Sequence, residues 1–66
     1  MMQIRQVYIL TVEAPGRPFA VLAVYSDYSE ARRIVESVSE TNEFDGITYE
    51  DANFDLVQRS FYDHRM

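Results

Sequence analysis

The side chains most able to do chemistry are the carboxylates between residues 40 and 55. Glu40, Glu43, Asp45, Glu50, Asp51 and Asp55 follow one another with no basic residue before Arg59. Two readings stay open for such a run. It can be a solvated loop and strand edge, which is the commoner reason for clustered charge. It can also be a patch that docks a basic surface, in which case binding weakens as salt screens the contact. A third reading is tested by spacing. Asp51-Ala52-Asn53-Phe54-Asp55 begins like a calcium loop, but Leu56 stands where the sharp turn needs Gly, and Tyr62 stands where a bidentate Glu is needed. No metal site is expected.

Other reactive groups are few. There is no cysteine and no lysine, and His64, the lone histidine, lies near the end of the chain beside Asp63. The two glycines, Gly16 and Gly46, are too far apart to form a phosphate-binding loop. Five serines are present, but none sits in a nucleophile-elbow pattern. Paired carboxylates could exchange protons in principle, yet 66 residues leave little volume for a closed substrate cleft. The chain is therefore expected to have no catalytic residue and no cofactor, and not to be an enzyme. Its tyrosines offer either core packing or interface anchoring, where Tyr is enriched. Tyr8, Tyr25 and Tyr49 are the candidates for anchoring.

The elements that must position these groups are readable from pattern. Gln3–Glu13 holds a run of β-branched, aromatic and aliphatic residues and reads as a strand. Ala14-Pro15-Gly16-Arg17-Pro18 is strong punctuation, and Phe19–Tyr25 reads as a second strand, closing a hairpin. Asp27 with Glu30 three residues later fits a helix N-cap and its reciprocal partner. Ala31, Ile34, Val35 and Val38 then make the apolar stripe of a helix, with Tyr28 one turn earlier and Arg32–Glu36 on the wet side. The helix should end near Glu40–Asn42. Phe44-Asp45-Gly46 reads as a turn, Ile47-Thr48-Tyr49 as a short extended piece, and Asn53–Ser60 as the last strand. Residues 61–66 show no clear pattern.

The order is β-β-α-β, an α+β fold in one domain. The expected architecture is a mainly antiparallel three-stranded sheet with the first strand in the centre and the helix on one face. One helix covers one face, so the other should be polar. It is not. Tyr8, Leu10 and Val12 alternate with Val7, Ile9 and Thr11, and strict alternation along the second strand puts Phe19, Val21, Ala23 and Tyr25 on one side and Ala20, Leu22 and Val24 on the other, so it is apolar on both. Something should cover the second face: the tail through Phe61 and Tyr62, a second copy of the chain, or a different protein docking on the face or along a strand edge.

Eleven acidic residues oppose six arginines, a net charge of −5. That balance argues against direct binding to nucleic-acid phosphates and for a basic protein surface as partner. No apolar run approaches the length of a membrane span, and the first residues lack a signal-peptide core, so no membrane association and a cytoplasmic location are expected. Val7-Tyr8-Ile9-Leu10, then Val24-Tyr25-Ser26-Asp27 opening Glu30-Ala31-Arg32-Arg33-Ile34, then Phe44-Asp45-Gly46-Ile47 and Phe54-Asp55-Leu56, resembles a group of small bacterial and phage proteins over residues 7–58. The element order is also similar to that of the small inhibitor of bacterial RNA polymerase from T7-type phages, in topology and size. These resemblances imply a fold and carry over no functional residue. The expectation is a small protein-binding module, phage-encoded, that inhibits or modulates a host nucleic-acid-handling or defence protein in the host cytoplasm. The alternatives are a structural or regulatory homodimer, and small-ligand binding at a dimer interface.

Overall fold

A computed structural model of the chain describes the backbone of residues 2–64 and the side chains of residues 4–60. Six elements follow in order: β1 (Met2–Glu13), β2 (Ala20–Tyr25), α1 (Tyr28–Thr41), β3 (Glu43–Phe44), β4 (Ile47–Thr48) and β5 (Asn53–His64). The main sheet runs β2-β1-β5, with β1 central and antiparallel to both neighbours. This is the expected ββαβ arrangement, with β3 and β4 added as a separate two-stranded hairpin.

Local chemistry explains the boundaries. Asp27 has extended backbone, and its carboxylate accepts from the Glu30 N–H at 3.1 Å, so it caps α1. Of the expected reciprocal pair, only the Asp27 half forms. Asn42 ends the helix in the left-handed conformation at φ 56°, and its N–H donates to the Val38 carbonyl at 2.7 Å. Arg32 and Glu36 pair at 3.1 Å on the exposed side. Glu36, and then Tyr28, by hydrogen bonding hold the Arg32 guanidinium above its ordinary range. Ala31 and Val38 are buried, and α1 lies over β5 and β1 more than over β2.

Two features depart from the sequence reading. First, the last strand does not stop at Ser60. Residues 61–64 continue β5, pairing with Met2–Arg5 in unbroken register from Met2↔His64 to Glu13↔Asn53. Because this segment lies in the plane of the sheet as strand backbone, it does not fold back as a cover for the second face. The side chains of Phe61, Tyr62 and His64 lie outside the described residues.

Second, β2 carries a bulge. Leu10 pairs with Ala23 but Thr11 pairs with Val21, so Leu22 is the extra residue. A one-residue slip inverts side-chain alternation. Tyr25, Ala23 and Ala20 therefore share the face of Tyr8, Leu10 and Val12, whereas Val24 and Val21 share the face of Ile9 and Thr11. Strict alternation from Phe19 had put Val21 with Ala23. The bulge places small alanines under the helix and two valines on the opposite side. Leu10 at 0 % exposure and Val12 at 2 % form the centre of the core, with Ala31, Val38 and Tyr49.

Candidate functional site

The acidic segment is held at one end of the sheet. The last turn of α1 carries Glu40 and no basic residue. After the Asn42 cap, the chain turns back through β3 and β4, which pair Glu43↔Thr48 and Phe44↔Ile47. Asp45 (φ 52°) and Gly46 (φ 79°) form the two-residue connection, both left-handed as a tight hairpin of this kind demands. Tyr49 then pins the segment to the body. Its N–H donates to the Asn42 carbonyl at 2.7 Å, its ring meets Phe54 edge-on at 5.8 Å, and Arg17 sits over it at 5.1 Å. Asp51, again left-handed at φ 54°, turns the chain into β5.

All six sequence-predicted carboxylates are exposed. Five of them, Glu40, Glu43, Asp45, Glu50 and Asp51, belong to this end. Glu13 joins them: with Asp51 it lines a shallow recess that includes Ala14 and Asn53. Glu13 was missed because it is remote in sequence, and only the β1–β5 register brings it to Asn53. Asp55 stands apart. It pairs with Thr11, which sets it by alternation on the side opposite α1, while its carboxylate accepts from the Leu56 N–H at 2.9 Å and the residue also borders the α1–β5 groove. None of the six takes part in an ion pair among the described residues, and no group of three or more acidic or histidine side chains there is close enough to hold a metal ion.

The candidate anchor tyrosines divide between the core and its rim. Tyr49 is 7 % exposed and is a core residue, so it presents no surface to a partner. Tyr8 and Tyr25 are half-buried, lie opposite each other, and share the helix-covered face. Tyr8 stacks edge-on against Tyr28 at 5.3 Å and donates its hydroxyl to Gln6. The Tyr8 ring is thereby engaged by the helix. Between α1 and β5 runs an open groove of about 660 Å³, floored by Tyr28, Val35, Phe54 and Leu56 and flanked by Glu36, Glu40 and Asp55.

The face opposite α1 is open except at Thr11, which is only 5 % exposed. Val21 is 58 % and Val24 57 % exposed, and half-buried Val7, Ile9 and Val57 complete an apolar centre. Among residues 4–60, the alternation along β1 and β5 puts Arg5 and Arg59 toward one end of this face and Asp55 and Glu13 toward the other.

No helix among the described residues is long and apolar enough to cross a membrane. Compared with family models, curated protein sequences and solved structures, the chain matches none.

Proposed function

We propose that this chain is a small protein-binding module that docks its acidic end on a basic surface of another protein. That surface is of the kind a nucleic-acid-handling protein offers to phosphates, so the module would act as an inhibitor or modulator by occupying it. The observation that supports this most is the electrostatics at the end of α1. A helix C-terminus carries about half a negative elementary charge and is normally matched by Lys, Arg or His. Here the last turn has no basic residue, and Glu40, Glu43 and Asp45 stand beside the unmatched pole. The arrangement costs local stability and gathers negative potential on a surface anchored by buried Tyr49.

The test compares the chain with a variant neutralised at that end, Glu40→Gln, Glu43→Gln, Asp45→Asn, Glu50→Gln and Asp51→Asn together. Immobilised chain should retain a basic protein from lysate at low salt, release it at high salt, and lose it to added duplex DNA as competitor. The neutralised variant, with an unchanged far-UV spectrum, should retain none. Equal capture by the variant, or capture indifferent to salt and DNA, refutes the reading.

A further inference from the structure

We infer that the face opposite α1 is covered by a second copy of this chain, packed face to face and antiparallel about a two-fold axis along the Val24–Ile9–Val57 row. This inference does not depend on the acidic-end reading.

The first argument is area. A compact monomer of 7.7 kDa is expected to expose about 4,300 Å², whereas this chain exposes 5043 Å². The excess, roughly 700 Å², is close to the ~800 Å² that each partner contributes to a standard stable interface. The molecule is elongated, 45 Å in its longest dimension, and the open side of its sheet carries Val7, Ile9, Val21, Val24 and Val57.

The second argument is charge, and it selects the occupant. Ile9 lies between Val24 and Val57 in the register. On β5, Arg59 and Asp55 stand two residues to either side of Val57. On β1, Arg5 and Glu13 stand four residues to either side of Ile9. All four share the uncovered face. A two-fold axis along this row therefore sets Arg59 of one copy against Asp55 of the other, and Arg5 against Glu13, each twice. An isologous interface requires this self-complementarity. A parallel arrangement would instead bring like charges together. The bulge at Leu22 contributes by turning Val21 and Val24 onto this side together.

Sedimentation velocity over ~1–500 μM chain at ~0.15 M salt tests the inference, since the ~8 Å screening length there damps net repulsion between two acidic chains but not direct contacts. The expected species has twice the 7.7 kDa chain mass. Val24→Glu, and separately Val21→Glu, should be monomeric throughout with unchanged far-UV spectra, because both side chains are more than half exposed in the monomer. Arg59→Glu and Asp55→Arg should each weaken the dimer by about tenfold or more, and the double variant should return to within roughly threefold of the parent. A parent chain that stays monomeric, whether the face is left bare or taken by a different protein, overturns the proposal. So does a Val24→Glu chain that still dimerises, or a double variant no tighter than the singles. Neutralising Glu40, Glu43 and Asp45 should leave the dimer intact, so the two readings fail separately.

Discussion

Leu10→Ala is the most direct probe of the core on which every surface described above depends. Leu10 is fully buried, on the helix-covered face, between Ala23 on β2 and Leu56 on β5. Truncation removes about three methylene equivalents, or ~2.4 kcal/mol of transfer free energy at ~0.8 kcal/mol each. A cavity term adds to this, because Ala23 beside it on β2 has no side chain long enough to fill the space. The sum should be about 3–4 kcal/mol, inside the usual range for buried Leu→Ala. A chain of 66 residues has roughly 3–10 kcal/mol of total stability, so the loss is a third or more of it. The melting temperature should fall by about 12–32 °C. Urea unfolding followed by far-UV circular dichroism, at one fixed chain concentration so that any self-association is held constant, reads the difference. Ile47→Ala, at 45 % exposure in the small hairpin, is the control and should cost less than ~1 kcal/mol. A loss below ~1 kcal/mol for Leu10→Ala, or one matched by the control, would mean that α1 does not seal this face and that the core is elsewhere.

Gly46→Ala should destabilise by about 1 kcal/mol through backbone strain alone, since φ is +79° and an added Cβ would meet nothing within 4 Å. Unfolding in urea would show it, and a neutral result would argue against the tight β3–β4 turn. Glu40→Lys should raise stability by about 0.3–1 kcal/mol by matching the helix C-terminus while weakening capture of a basic partner. A melting scan and the capture assay should move in opposite directions, and loss of both together would undercut the functional explanation for the missing basic residue.

The main elements could be read from the sequence because each was set by local chemistry. Asp27 announces α1 through its side chain, Ala31 and Val38 mark its inner stripe, and the Pro15–Pro18 segment breaks the hairpin. What could not be read depends on pairing between distant residues. The extension of β5 through Phe61–His64 has no local signature, because it exists only by its ladder to Met2–Arg5. The bulge at Leu22 is likewise invisible in a run of small and branched residues, Ala20 to Val24, any of which fits either face. That ambiguity led to the misplacement of Val21. The six carboxylates were legible as a group because they are consecutive. The separation of Asp55 from the other five, and the addition of Glu13, follow from strand register alone. The tyrosines left core packing and anchoring both open for a related reason: enrichment at interfaces describes the residue type, whereas the contacts of Tyr8 with Tyr28 and of Tyr49 with Phe54 are set by tertiary packing.

The two proposed surfaces constrain each other through the same register. Glu13 and Asn53 end the paired strands where the acidic segment begins, so the acidic end and the negative end of the uncovered face coincide. In an antiparallel pair the acidic ends must therefore lie at opposite extremes of the assembly. At about 3.3 Å per residue, Glu13 is roughly 13 Å along β1 from the axis residue Ile9, so equivalent positions in the two copies are at least ~26 Å apart. Each acidic end would lie beside the partner's Arg5 and Arg59, which removes Asp55 from the surface available to a third molecule. Asp55 and the other five carboxylates should consequently separate in experiment. Asp55→Arg should change self-association, and should affect capture of a basic protein only to the extent that two linked sites bind better than one. Neutralising Glu40, Glu43 and Asp45 should do the reverse. A chain in which all six positions behave alike in both assays would show that the acidity acts as diffuse net charge, and neither surface would then be specific.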